Sequence, residues 1–161
     1  MESYKIVLRE ISANTRLMEW AFMNLEKFRT YFNKNDAFSV KNGVRLTHLQ
    51  KGYAVAEMDL APEVCNLMGT LHGGAYYTLA DVAAGSAVIP YGRLCVTLNA
   101  DVHYLRPPSG GTVRATANLI QRGERIAVCK VDIEDAADKL LCTCTITMYQ
   151  TSKEVPEEFR V

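Results

Sequence analysis

The stretch that decides the fold is LHGGAYYTLADVAAGSAVIPYGR, which occupies residues 71–93. Apart from the terminal arginine, the only Asp, Glu, Lys or Arg residue in this stretch is Asp81. The composition predicts an apolar helix of about five turns that ends at Pro90 and Gly92. Burying a carboxylate in such a helix costs free energy unless something compensates the charge.

Two roles for Asp81 are open at this point. The residue lies about two turns inside the helix, too far from its start to cap it, and no Lys or Arg lies within one turn. A structural Asp81 would pair with a base from elsewhere in the fold. Alternatively, Asp81 is a catalytic carboxylate in a partly desolvated cleft.

The helix begins with His72, Gly73 and Gly74. Two glycines form a tight turn into a helix, and they also let a ligand approach backbone N–H groups at the positive end of the helix dipole. On one helix, His72 and Asp81 are about half a revolution and about 13 Å apart. If both act in one reaction, the site must form between two chains, which predicts a symmetric homodimer with two equivalent sites.

The apolar period changes to two on both sides of this helix. Residues 44–61 predict two strands joined at a turn near Lys51-Gly52, and four more strands follow, the last over 139–150. In the first of these four, one face is predicted to contain Val96, Leu98, Ala100, Val102 and Tyr104, opposite Thr97, Asn99, Asp101 and His103. Short connections imply an antiparallel sheet of five to six strands with the helix across it, an α+β architecture.

Composition narrows the class of protein. The chain has 161 residues, 48% of them apolar, and its 18 basic side chains balance 18 acidic ones. We therefore expect one compact domain and neither a nucleic-acid nor a membrane partner. The first thirty residues are charged throughout and lack the apolar core of a signal peptide, and the five cysteines fit a reducing compartment, so we predict a cytoplasmic protein.

The pair Cys142 and Cys144 alternates with threonines. This period of two predicts thiols on the apolar face of a strand. No CxxC or HExxH spacing accompanies the pair, so we predict no metal site.

Residues 15–34 place apolar side chains at mostly helical spacings. They predict an amphipathic helix that packs on the domain, with binding of a partner or a lipid surface as the alternative. We expect a helical extension over residues 1–37, a main domain over 38–150 and a C-terminal tail over 151–161.

Asn66, the HGG triplet 72–74 and Asp81 form the pattern N-x5-HGG-x6-D within NLMGTLHGGAYYTLADVAAG. The pattern resembles hotdog-fold acyl-CoA thioesterases of the phenylacetic-acid-degradation type, and the order of elements over about 38–150 is similar as well. The resemblance implies a long central helix wrapped by the sheet, with dimers formed through a continuous sheet and commonly doubled to tetramers. It also implies hydrolysis of acyl-CoA thioesters without metal or organic cofactor.

The resemblance implies a role for each matched residue. Asp81 would be the nucleophile or the general base that activates water, and Gly73 would offer its backbone N–H to the thioester carbonyl. His72 and Asn66 would position that carbonyl and the water. Thr97 takes the place of a family Ser or Thr hydroxyl near the attacking water.

Further residues are predicted to contact the substrate. CoA carries phosphates, so the basic side chains near strand ends are candidates for its recognition, with ordinary solvated surface as the alternative: Arg106, Arg122, Arg125 and Lys130. Gly74 and Tyr77 complete the predicted contacts. Tyr76 either lines an acyl cavity with Tyr77 or simply packs.

Two other functions are compatible with these residues. A hotdog hydratase or dehydratase acting on acyl-CoA or acyl-carrier protein also uses a histidine with an acidic residue. A non-catalytic hotdog module that binds acyl-CoA is the second alternative. The HGG-x6-D spacing favours hydrolysis.

Overall fold

A computed structural model describes residues 23–161. In chain order the helices and strands are α1 (Leu25–Asn35), α2 (Ala37–Lys41), β1 (Arg45–Gln50), β2 (Tyr53–Asp59), α3 (Gly73–Val88), β3 (Arg93–Tyr104), β4 (Thr112–Arg122), β5 (Ile126–Glu134) and β6 (Leu140–Glu154). Of the helix predicted over 15–34, residues 15–22 lie outside the described residues, and α1 accounts for most of the rest. The last strand continues beyond its predicted end at residue 150.

The six strands form one antiparallel sheet in the order β1-β2-β4-β5-β6-β3. The helix α3 lies across its inner face and packs against every strand. One long helix wrapped by a six-stranded antiparallel sheet confirms the predicted α+β hotdog fold. The strands β1 and β3 are its two edges.

Small side chains bring α3 close to the sheet. The fully buried residues of the helix include Leu79, Ala80, Ala83, Ala84 and Ala87, and those of the sheet include Ala54, Ala56, Ala115, Ala117 and Ala127. Alanines let the two backbones approach closely, so many dispersion contacts hold the helix in place. Among residues 23–161, no helix combines the length and the apolar character needed to cross a membrane.

The predicted facing of β3 is wrong at its start. The ladder between β3 and β6 skips Leu98, which therefore forms a bulge. Val96 and Leu98 are 52% and 57% exposed, whereas Ala100 and Val102 pack against the core. One extra residue in a strand reverses the facing of the residues on one side of it, so the four do not share a face. The same shift turns Thr97 towards α3.

The helix α1 covers one of the two sheet edges. The Asn33 side chain donates to the Leu46 carbonyl at 2.8 Å and accepts from the Leu46 N–H at 2.7 Å. Arg29 donates to the Thr47 carbonyl at 3.0 Å. Among residues 23–161, no segment pairs in this way with the outer side of β3. An exposed strand edge offers unpaired N–H and C=O groups to another chain, so β3 is the edge open to pairing.

The C-terminal residues hold α1 on the domain. The buried Phe28 ring packs edge-on against Phe159, with ring centroids 5.3 Å apart. The Asn24 N–H donates to the Phe159 carbonyl at 2.8 Å. The helix therefore packs on the domain through the last residues of the chain.

Gly52, in the turn between β1 and β2, provides a test of how closely this turn packs against Tyr91. Its φ is 79°, and a Cβ there would lie 3.2 Å from the Tyr91 hydroxyl oxygen, whereas Gly43 has a φ of 72° and open space around it. We expect Gly52→Ala to lower the free energy of unfolding by about 2 kcal/mol, from left-handed strain plus the Tyr91 contact. Gly43→Ala should cost about 1 kcal/mol from strain alone. Urea denaturation measures both, and equal losses would contradict a contribution from Tyr91.

Candidate active site

Asp81 lies in the middle of α3 with its side chain half-buried. The Thr97 hydroxyl donates a hydrogen bond to Asp81 Oδ1, and the Met148 sulfur lies 3.5 Å from the same hydroxyl oxygen. Within residues 23–161, no Lys, Arg or His forms an ion pair with Asp81. The described chain therefore lacks the buried base that a purely structural Asp81 would require.

Cys95 is a second potentially reactive group near Asp81. Its sulfur lies 3.6 Å from the carbonyl oxygen of Gly85, one turn further along α3. Burial raises the pKa of Cys95 to about 12, and the charges of Cys129 and Asp81 act in the same direction. Because the thiolate is the nucleophilic form of cysteine, Cys95 remains an inert thiol at neutral pH.

His72 is the N-cap of α3. Its Nδ1 accepts a hydrogen bond from the Gly74 N–H at 2.9 Å, which satisfies one of the donors that a helix start leaves free. The neutral imidazole then carries its proton on Nε2. A Cβ on Gly74 would lie 3.1 Å from Nδ1, so an alanine there would force the imidazole to shift by a few tenths of an ångström.

The Gly73–Gly74 peptide is held at both of its polar atoms. The Tyr104 hydroxyl donates to the Gly73 carbonyl at 3.2 Å, and His72 accepts from the N–H on the other side. The N–H of Gly73 belongs to the preceding peptide and has no acceptor among residues 23–161. It is a free donor at the positive end of the helix dipole, the kind of group that stabilises developing negative charge on oxygen.

Sequence reasoning missed Tyr104 as a site residue. The strand pattern shows only which face Tyr104 takes, and the fold alone brings the end of β3 to the start of α3. The ring packs edge-on against Tyr76 with centroids 5.7 Å apart, and the Tyr76 hydroxyl donates to the Arg106 carbonyl at 3.1 Å. Burial raises the pKa of Tyr76 to about 12, so this hydroxyl remains a donor at neutral pH.

Two cavities flank the first turn of α3. One, of about 380 Å³, is mostly aromatic and apolar, and its walls include Gly73, Met68, Tyr76, Tyr104, Arg106 and Pro107. The other, of about 300 Å³, is more polar, and its walls include Glu63, Cys65, His72, Gly74 and Thr78. Gly73, Tyr76 and Arg106 thus line one cavity, and both cavities have room for part of a ligand.

Asn66 organises the loop that leads into α3. Its Oδ1 accepts from the N–H groups of Met68 at 2.9 Å and Thr70 at 3.3 Å, and its Nδ2 donates to the Thr70 hydroxyl at 3.0 Å. In the described chain this amide holds the loop, and the second hydrogen of its Nδ2 has no acceptor within residues 23–161, so it is available to a ligand.

The other predicted substrate contacts lie apart from one another. Tyr77 is exposed on α3, one turn before Asp81. Arg122 ends β4 and Arg125 lies in the turn that follows, near the C-terminal end of α3. Lys130 lies on β5 and pairs with the neighbouring Asp132 at 2.9 Å, as an ordinary surface lysine does.

The predicted catalytic residues thus form two groups on one chain. The first is Asp81 with Thr97 in the middle of α3, and the second, at its start, comprises Asn66, His72, Gly73 and the added Tyr104. The helix rises about 12 Å from Gly73 to Asp81, so one reacting atom cannot contact both groups of the same chain. In the part of the chain that the structure describes, no three His, Cys, Asp or Glu side chains lie together as metal ligands.

The chain is similar to proteins of one family. Residues 68–142 match the thioesterase superfamily. The 1,4-dihydroxy-2-naphthoyl-CoA hydrolase of Listeria monocytogenes is 33% identical over 116 residues, covering 69% of this chain and 94% of the relative. Acyl-coenzyme A thioesterase PaaI of Escherichia coli is 29% identical over 107 residues, covering 66% of this chain and 76% of the relative.

Solved structures agree with the sequence comparison. The structure of E. coli PaaI has a TM-score of 0.76 at 23% identity, covering 83% of this chain and 97% of that one, a likeness of fold. A hypothetical thioesterase from Streptococcus pneumoniae, solved with coenzyme A, has a TM-score of 0.65 at 26% identity, covering 70% and 91%. The chain belongs to the thioesterase superfamily. It is a hotdog-fold thioester hydrolase of the phenylacetic-acid-degradation type, as the sequence motif predicts.

The hydrogen bond from Thr97 to Asp81 can be tested by two substitutions. Thr97→Val keeps the side-chain shape but leaves a half-buried carboxylate without its donor, so we expect the free energy of unfolding to fall by about 2 kcal/mol. Thr97→Ser keeps the hydroxyl and should lose clearly less. Urea denaturation at equal protein concentrations measures both variants. A loss in Thr97→Val no larger than that in Thr97→Ser would contradict a stabilising role of the hydrogen bond.

Proposed function

We propose that this protein hydrolyses acyl-CoA thioesters to the free acid and CoA. The observation that carries the proposal is the half-buried Asp81 carboxylate, which has a hydroxyl donor and no cationic partner within residues 23–161. A thioester is an activated acyl group that an ionised carboxylate, or water activated by it, can attack. The Listeria relative is named as a CoA hydrolase and the S. pneumoniae structure contains coenzyme A, which supports CoA as the leaving group.

Two routes use the same residues. As nucleophile, an Asp81 oxygen attacks the carbonyl carbon, the C–S bond breaks with release of the CoA thiolate, and water then hydrolyses the mixed anhydride. As general base, Asp81 takes a proton from water, whose oxygen attacks the carbonyl carbon directly. The C–S bond of the tetrahedral intermediate then breaks, and CoA leaves as the thiol with the proton that Asp81 took up. In both routes the Gly73 N–H donates to the carbonyl oxygen as negative charge develops on it. His72 Nε2–H and Asn66 position the carbonyl and the water, and Thr97 orients the carboxylate.

The proposed site is shared by two subunits, since one chain holds the two groups too far apart. The strand β3 is twelve residues long, its outer edge is unpaired within residues 23–161, and Val96 and Leu98 beside that edge are exposed. Antiparallel pairing of β3 with its copy would give a continuous sheet around a two-fold axis. The start of α3 from one subunit would then meet Asp81 of the other. We also propose that two such dimers associate.

We propose a cytoplasmic location. All five cysteines are free thiols. The sulfurs of Cys142 and Cys144 lie 3.7 Å apart on β6 without a bond between them, as expected of a protein that works in a reducing compartment.

Loss of the Asp81 carboxylate provides the direct test. We expect Asp81→Asn and Asp81→Ala to fold and assemble as the wild type does, and to lose about a thousandfold in kcat, because each removes the group that attacks or activates water. A thiol reagent that detects released CoA measures the rate over a panel of aryl, short-, medium- and long-chain acyl-CoAs. Turnover at the wild-type rate by both variants would remove Asp81 from the mechanism.

The same assay separates the alternatives. A hydratase or dehydratase releases no thiol from a saturated acyl-CoA, and a binding module retains acyl-CoA without hydrolysing it. Neither outcome is compatible with the proposed reaction.

The shared site predicts complementation between two inactive variants. In a mixed dimer of Asp81→Asn and His72→Ala chains, one site carries both changes and the other carries neither. Random mixing at equal amounts should therefore restore roughly a quarter of the wild-type rate. Refolding the variants together, and separately as the control, followed by the thiol assay, measures the recovery. Mixtures that stay as inactive as the separate variants would contradict a site formed by two chains.

A further inference from the structure

Two cations lie against the Tyr91 ring, just beyond the C-terminal end of α3. The Arg122 guanidinium carbon lies 4.4 Å from the ring centroid, and Lys51 Nζ lies 5.2 Å from it. Lys51 comes from the turn between β1 and β2, and Arg122 from the end of β4, so the ring joins three segments that are distant in sequence. Aromatic faces attract cations, but they do not neutralise them.

A buried amide fixes the Arg122 side chain. Gln150 on β6 is 0% exposed, and its Oε1 accepts from Arg122 Nε at 2.8 Å. Its Nε2 donates to the Gly123 carbonyl at 3.1 Å and to the Glu124 carbonyl at 3.4 Å. One buried side chain thus holds both the guanidinium and the backbone of its turn. A site in which the arginine is already ordered loses less entropy when a ligand binds.

The basic side chains near Tyr91 are not neutralised by acidic partners in the described chain. Lys51, Arg122 and Arg125 form no ion pair within residues 23–161, and Arg125 contacts only the Tyr149 hydroxyl, at 3.4 Å. Glu124 is the one acidic residue of the same turn, and it forms no ion pair in the described chain either. With Nε bound to Gln150, the two terminal nitrogens of Arg122 retain their donors for an outside acceptor.

We infer that Lys51 and Arg122, held by Tyr91 and Gln150, form a phosphate-binding site for the nucleotide end of CoA. This inference rests on the proposed function, and it adds Lys51, Tyr91 and Gln150 to the predicted role of Arg122. Phosphate and pyrophosphate groups are multiply charged acceptors that match a planar guanidinium next to an ammonium.

The position of the cluster relative to Asp81 fits the length of CoA. Asp81 and Tyr91 are ten residues apart along α3 and the short turn that follows it, which corresponds to about 15 Å. An extended pantetheine arm separates the thioester from the pyrophosphate by a similar span. A thioester at Asp81 can therefore place its phosphates at Lys51 and Arg122 of the same chain.

Three substrates with the same acyl group test the site: acyl-CoA, acyl-dephospho-CoA without the 3′-phosphate, and acyl-pantetheine without any nucleotide. The variants are Arg122→Gln and Lys51→Gln, and Lys41→Gln is the matched control at an exposed lysine on α2. We expect each cluster variant to raise KM for acyl-CoA about tenfold with little change in kcat, and to leave kcat/KM for acyl-pantetheine unchanged. Acyl-dephospho-CoA shows whether the 3′-phosphate or the pyrophosphate is the group bound.

Equal changes with acyl-CoA and acyl-pantetheine would overturn the inference, because they would assign the residues a structural role only. Lys51 is exposed and its side chain forms no hydrogen bond or ion pair within residues 23–161, so Lys51→Gln keeps the test valid if Arg122→Gln fails to fold.

Direct binding separates this inference from the proposed function. Calorimetry with 3′,5′-ADP, the nucleotide part of CoA, should give a Kd about tenfold weaker for Arg122→Gln than for the wild type, and inorganic phosphate should bind much more weakly than the nucleotide. If the protein hydrolyses no thioester but Arg122→Gln still weakens binding of 3′,5′-ADP, the proposed reaction is contradicted and the phosphate site is supported. If the protein hydrolyses acyl-CoA and the cluster variants change neither KM nor Kd, the proposed reaction stands and the phosphate site is overturned.

Discussion

The structure depends on one constraint, which is that a carboxylate on a buried helix must keep a polar neighbour. The sheet surrounds α3 with alanines and other apolar groups on one side, whereas Asp81 is only half-buried. The bulge at Leu98 turns the Thr97 hydroxyl towards that carboxylate. A regular β3 would direct Thr97 to the opposite face and leave Asp81 without this donor.

At the start of α3, side chains likewise satisfy polar groups of the backbone. His72 and Tyr104 each satisfy one end of the Gly73–Gly74 peptide, and the Gly73 N–H at this helix start has no acceptor within residues 23–161. Side chains that cap a helix therefore also decide which backbone group remains for a ligand. The two glycines differ in their surroundings: a Cβ on Gly74 would lie 3.1 Å from the His72 imidazole, whereas a Cβ on Gly73 would make ordinary contact with Tyr104 at 3.6 Å.

The two edges of the sheet differ in a way that bears on assembly. Side chains of α1 satisfy backbone groups of β1, whereas the outer edge of β3 has no such cover within residues 23–161. The bulge that orients Thr97 also exposes Leu98 beside this open edge. One irregularity in β3 thus links the geometry around Asp81 to the surface proposed for dimerisation.

The sequence by itself determined the long helix and the alternating strands, because both are recorded in the local period of apolar side chains. The isolated acid and the HGG triplet form the motif whose resemblance to a known family implied the hotdog fold. Only the tertiary structure decided the bulge at Leu98, since it depends on the register between β3 and β6, far apart in the chain. The contacts of Tyr104 with Gly73 and of Arg122 with Tyr91 likewise join distant segments. A periodic pattern states which face a side chain takes, but the partner on that face is chosen by long-range packing.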